Sequence, residues 1–152
     1  MRTMPRPPTA RAGETAFASV VWQWWKEAPS SDQLARDSHE IAPTEVELPT
    51  IERSALTTIT IDTSFPPRLS LIIFAGLAEH GGADIEQLVY ETDFEPDSQW
   101  VQTYENWTVL SVDGNDLPDE MAIAVVQARW TVPETFDDWP QITCTWAGYI
   151  DQ

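Results

Sequence analysis

The sequence predicts an all-β protein, an antiparallel β-sandwich or barrel of about seven to eight strands with an extended amino-terminal arm. Three observations carry this expectation. Apolar and polar residues alternate over several short runs, the two-residue period of a strand with one buried face. Breaks containing Pro or Gly separate the runs at intervals of roughly ten residues. Neither a βαβ alternation nor a glycine-rich strand-to-helix turn occurs, which argues against a nucleotide-binding α/β fold. The length of 152 residues suits one domain, and the 42% hydrophobic content is that of an ordinary globular chain.

The elements follow in order. Residues 1–13, MRTMPRPPTARAG, read as an extended, basic, Pro-rich arm. Pro5, Pro7 and Pro8 forbid a helix there and favour polyproline geometry. Residues 14–152 read as a single acidic β domain. Its first segment, 14–28, fits a helical stripe through Phe17, Val20, Val21, Trp24 and Trp25, but its valines and tryptophans favour a strand. Pro29 ends it, and Ser30–Ser31–Asp32 opens a turn or short helix through Arg36.

Glu45–Leu48 alternates with Val46 and Leu48 on one face and is stopped by Pro49. Leu56–Asp62 directs Ile59 and Ile61 inward. Leu69–Leu77 is a nearly continuous apolar run, suited to a central strand covered on both faces. His80–Gly81–Gly82 is a turn, and residues 84–92 fit either a strand or a short helix. Trp107–Val112 alternates, and Asp113–Gly114–Asn115–Asp116 signals a hairpin turn. Met121–Val132 is a long strand with Ala122, Ala124, Val126, Ala128 and Trp130 on one face. Pro133–Pro140 is a loop, and Ile142–Ile150 is a strand directing Ile142, Cys144 and Trp146 to one side.

Charge narrows the partners. Arg2, Arg6 and Arg11 lie in a stretch without an acid, so residues 12–152 hold all 25 acids against five bases, 5 − 25 = −20. Such a surface repels phosphate, which disfavours nucleic acid and anionic membranes. It favours cations, basic partners and saline solvents. No apolar stretch approaches the ~20 residues of a membrane span. Ala16–Val21 is a poor signal-peptide core, interrupted by Gln23 and followed by no A-x-A site. We therefore expect neither a signal peptide nor a transmembrane segment.

No catalytic constellation emerges. Cys144 is the only cysteine, so it forms no intrachain disulfide, and it alternates with Ile142 and Trp146 as a small buried hydrophobe would. Ser38 beside His39 is not a triad, there is no G-x-S-x-G elbow, and His80 belongs to a glycine turn. No cofactor is expected and no enzymatic activity. Calcium has one candidate loop, DGNDLPDE, whose Asp113, Asn115, Asp116, Asp119 and Glu120 supply closely spaced oxygens. Their spacing is not that of an EF-hand, and a plain polar turn would have the same composition. Glu91–Asp97 is a second acidic cluster, constrained by Phe94 and Pro96 and better read as a solvated loop.

Eight tryptophans exceed what a core of this size needs, at 150–250 Å² of buried area for a large aromatic side chain. Trp22, Trp24 and Trp25 crowd one strand, so an interface is expected there, joined by Arg2, Arg6 and Arg11 of the arm. An arm opposite in charge to its own body suits contact with a neighbouring copy. The expected function is a non-enzymatic structural subunit of an assembly of like or different subunits, in particular a virion component such as a phage tail, decoration or connector protein. Its location is then the virion, and the cytoplasm otherwise. The alternative is a carbohydrate-binding β-sandwich with tryptophan platforms and a structural calcium loop.

Overall fold

The computed structural model describes residues 8–25, 38–40, 47–63, 66–79, 83–96, 98–131 and 141–151, with backbone alone at 21–25, 38–40, 131, 141 and 142. Two sheets pack face to face, and the described residues contain no α-helix. The five-stranded sheet holds β1 (Ala10–Ala12), β2 (Thr15–Ala16), β6 (Thr58–Ile61), β9 (Val101–Thr103) and β10 (Thr108–Ser111), in the order β2-β1-β6-β10-β9. The seven-stranded sheet holds β3 (Ala18–Trp25), β4 (Ser38–Glu40), β5 (Thr50–Glu52), β7 (Arg68–Phe74), β8 (Leu88–Phe94), β11 (Ile123–Thr131) and β12 (Gln141–Asp151). Its main order is β4-β3-β12-β11-β7-β8, and β5 adds a short parallel pairing to the end of β12. All other ladders are antiparallel.

Alternation builds the core. Ile59 and Ile61 of one sheet face Leu69, Leu71, Ile73, Val126, Cys144 and Trp146 of the other, all within a single buried cluster. Each buried aliphatic side chain contributes about 1.5–3 kcal/mol. Trp130 is buried as its face predicts. Gly148 on β12 is a close-approach position, since a Cβ there would sit 2.9 Å from Ile51 Cγ1 and 3.1 Å from Phe17 Cδ1.

Segment 14–28 is a strand over Ala18–Trp25, as its composition favours. Residues 84–92 divide, with a 3-10 turn at Ile85–Gln87 leading into β8. Pro49 precedes its strand rather than ending it. Leu48 is buried, but β5 starts at Thr50, and the Pro49 carbonyl accepts from the Tyr149 amide. The apolar run from Leu69 is not covered on both faces. It ends as a strand at Phe74 and alternates, with Leu69, Leu71 and Ile73 buried and Ser70, Ile72 and Phe74 half-buried. Residues 26–37, 80–82 and 132–140 lie outside the described residues, and with them the expected turns and loop there.

The arm boundary moves. β1 lies inside residues 1–13 yet pairs with both β2 and β6, and Ala10 and Ala12 are fully buried. Gly13, at a φ of 63°, makes the tight turn into β2. The Trp146 indole N–H donates to the Pro8 carbonyl at 3.1 Å, tying the segment to the core from residue 8 onward. Alanines are weak strand formers, so the Ala-Arg-Ala alternation carried little signal beside the prolines. Only residues 1–7 remain of the expected arm, and they lie outside the described residues.

Candidate functional site

The two sheets do not end together on one flank. In the seven-stranded sheet β8 is the edge, and its register on β7 sets Tyr90 opposite Ile73, Thr92 opposite Leu71 and Phe94 opposite Leu69. These positions share the face turned toward the other sheet. That sheet ends there in β9, three residues long, which leaves part of the β8 inner face uncovered. Trp100 and the turn after β10 form the opposing wall. The result is a cleft of about 310 Å³ lined by Tyr90, Thr92, Phe94, Trp100, Val112, Asp113 and Asp116.

Local hydrogen bonds hold this wall. The Trp100 carbonyl accepts from the Ser111 amide at 2.8 Å, and its own amide donates to Ser98 Oγ at 3.3 Å. The Val112 amide donates to the Thr57 carbonyl at 2.9 Å. Asp113 caps a 3-10 turn, Gly114–Asp116, by accepting from the Asn115 amide at 2.9 Å. The Asp116 carboxylate has no side-chain partner among the described residues. Phe94 and Val112 are buried, Tyr90 is half-buried, and Trp100 is 39% exposed. Aromatic faces beside carboxylates attract organic cations, guanidinium above all. Two larger hollows, about 490 Å³ beside Arg53 and 460 Å³ beside Met121, are lined by no tryptophan.

The candidate calcium loop, Asp113–Glu120, is divided between two surroundings. Among the described residues no three His, Cys, Asp or Glu side chains are placed to hold a metal. Asp113 and Asp116 face the cleft, while the far end of the loop is held by an arginine. Arg53 Nη1 donates to the Asp119 carbonyl at 2.9 Å and Nη2 to the Pro118 carbonyl at 2.6 Å. A side-chain cation thus takes carbonyl oxygens of the kind a calcium ion would need. The turn is no hairpin either, because β10 pairs with β6 and β9, whereas β11 pairs with β7 and β12. It carries the chain from one sheet to the other.

Of the expected interface residues, Arg2 and Arg6 lie outside the described residues. Arg11 is half-exposed and lies 3.3 Å from Asp62 of the same chain. Trp22, Trp24 and Trp25 lie on β3, with backbone register opposite Cys144, Ile142 and Gln141, and their side chains fall outside the described residues. Trp139 falls outside as well. Trp130 and Trp146 are core, and Trp100 and Trp107 are exposed.

Of the nucleophile and base candidates, Cys144 alone has a described side chain. Burial pushes the Cys144 thiol from the ordinary 9.0 up to about 12, outweighing its hydrogen bonds with Ser19 and the Thr145 backbone. His39 sits on β4 opposite Trp22 in register, and His80 lies outside the described residues. In the second acidic cluster Asp93 accepts from Ser70 Oγ at 2.6 Å and Glu95 pairs with Arg68 at 2.8 Å. Most of that cluster is therefore strand β8 rather than loop.

Sequence reading missed the cleft as a unit. Asp113 and Asp116 drew attention as metal ligands and Trp100 as one of a surplus. Tyr90 drew none, because only sheet register places it against them. Comparison of the chain with protein-family models, with curated proteins and with solved structures finds no match.

Proposed function

We propose that this chain is a non-catalytic structural subunit that works by docking to other protein subunits, with the flank formed by β8 and β9 as its contact surface. One observation carries the reading. The exposed large apolar side chains among the described residues are Leu77, Ile85, Leu88, Val89, Trp100, Tyr104 and Trp107. All of them lie on the β7–β8 connection, on β8, or on and beside the β9–β10 hairpin. Ile85 is 81% exposed. Edge strands are ordinarily blunted by charge or proline, and clustered apolar exposure marks a contact surface. In its most concrete form the subunit belongs to a virion, as a tail, decoration or connector protein. The compact β body and the basic segment before it support that form by analogy.

Sedimentation velocity over a concentration series tests the reading. The wild-type chain is expected to self-associate, and Leu88→Lys with Val89→Glu to weaken association at least ~10-fold, the scale of a lost interface hot spot. A wild-type chain that stays monomeric at every concentration overturns self-assembly.

A second reading has its own observation. The Tyr104 and Trp107 rings lie 5.8 Å apart and 31° from parallel, both about half exposed, which supports a sugar-stacking platform. Titration with a neutral linear hexasaccharide, read by tryptophan fluorescence, tests it. Quenching lost in Trp107→Ala would favour carbohydrate binding.

A further inference from the structure

We infer that the Tyr90–Trp100–Asp116 cleft receives residues 1–7 of a neighbouring copy, an inference that rests on the assembly reading and names its contact. Three observations converge on this occupant. The first is chemistry. Residues 1–7, MRTMPRP, contain Arg2 and Arg6, Pro5 and Pro7, and no acid. Proline-rich segments dock into aromatic-lined grooves because their extended shape is already set before binding. A guanidinium stacks on tryptophan and pairs with carboxylate at the same time. The cleft offers both, with Trp100 and Tyr90 as faces and Asp113 and Asp116 as acids.

The second is charge. Beyond residue 11 the chain carries a net −20, five bases against 25 acids, so the segment is the part of the molecule that this surface attracts. Arg11 is already paired with Asp62, which leaves Arg2 and Arg6 as the arginines ahead of the fold.

The third is reach. Pro8 is fixed by the Trp146 indole, and β1 stands three strand positions from β9 in the sheet order β2-β1-β6-β10-β9. Three spacings amount to ~14 Å across the sheet. The two sites are also offset along the strands, since Ala10 pairs with Ile61 while Trp100 bonds to Ser111, which is opposite Thr58. Arg6 lies two residues from Pro8, ~6 Å of extended chain, and cannot reach its own cleft around the surface. Arg2, six residues from Pro8, has ~19 Å of extended chain, but a segment that seats both arginines in one cleft comes from another molecule. The contact joins the first residues of one copy to the cleft of the next, two unlike surfaces, so it is head-to-tail and propagates into a ring or a filament.

The test uses full-length chains and a synthetic peptide, MRTMPRPP. An Arg2→Glu/Arg6→Glu chain, which lacks a competing segment, is titrated with the peptide and followed by tryptophan fluorescence. The expected result is saturable binding that weakens with added salt and falls at least ~10-fold in Trp100→Ala and in Asp116→Asn. Trp100→Phe and matched melting curves show that these variants remain folded. In sedimentation the Arg2→Glu/Arg6→Glu chain associates at least ~10-fold more weakly than wild type. Mixing Arg6→Glu chains with Asp116→Arg chains restores part of the association. Equal peptide binding by wild-type and Trp100→Ala clefts overturns the inference, as does no binding at all. If the arginine variants associate like wild type while Leu88→Lys abolishes association, the docking inference falls and the assembly reading stands. A wild-type chain that never associates overturns both.

Discussion

The two flanks of the sandwich treat the same problem in opposite ways. On one flank the five-stranded sheet ends in β2, two residues long, preceded by the Gly13 turn and by Arg11 paired to Asp62. Its outward positions are Arg11, Glu14 and Ala16, and its inward ones, Ala10 and Ala12, are small and fully buried. On the other flank Leu88 and Val89 of β8 and Trp100, Tyr104 and Trp107 beside β9 reach solvent, and a cleft is left between the sheets. A short, polar edge offers little to an approaching chain, whereas a long apolar one invites pairing. Exposure beside β9 is thus not a general looseness of the fold, since the five-stranded sheet is closed tightly at its β2 end.

Deletions should break the comparison most severely. Removing residues 1–13 deletes β1 and uncovers Ile59 and Ile61, and is expected to cost about 3–5 kcal/mol or to abolish cooperative unfolding. Removing residues 1–7 should leave the melting temperature unchanged and weaken only association. Equal thermal behaviour of the two deletions would dissolve the distinction between arm and body at residue 8. Tryptophan substitutions sharpen it next. Trp146→Ala should cost about 3–5 kcal/mol in urea unfolding, because the indole is buried and tied to Pro8. Trp100→Ala should stay within about 0.5 kcal/mol, as an exposed side chain whose removal leaves no cavity.

A smaller effect, from the core between the flanks, depends on pH. Cys144 lies beside Ser19 of β3 and its thiol is raised from 9.0 to about 12. A raised folded value stabilises the protein fully below pH 9.0 and loses that contribution as pH climbs toward about 12. Cys144→Ala should therefore show a shallower alkaline fall in melting temperature than wild type. An identical alkaline profile would mean that the thiol is not desolvated in solution. The smallest effect expected is none. Excess calcium and excess chelator should give superimposed melting curves, because Arg53 already takes the Pro118 and Asp119 carbonyls at the far end of the 113–120 turn. A chelator-induced drop would restore the metal.

What the sequence made legible was periodicity. Met121–Val132 and Ile142–Ile150 stand as β11 and β12 because a two-residue period sustained over a long run fits a strand and not a helix. β1 was hidden because its inward residues are alanines, which signal burial only weakly. The Asp113–Asp116 turn was legible as a turn but not as a crossing, since turn chemistry is local and strand partners are not. The cleft was illegible for the same reason. Tyr90 and Trp100 are ten positions apart in the sequence, and nothing in either stretch reports that β9 stops short of covering β8.

The place of β12 bears on how the chain folds. It runs antiparallel between β3 and β11 and also takes β5 alongside its end, so residues 141–151 join strands from the opening and the middle of the chain. Until a ribosome has made that segment, β3 has no central neighbour, and only the short β4 can pair with its tryptophan-rich stretch. Non-local pairing of this kind is slow, and the waiting strands are open to wrong partners. The chain should therefore depend on chaperones, or on the presence of its assembly partners, during synthesis more than its size would suggest.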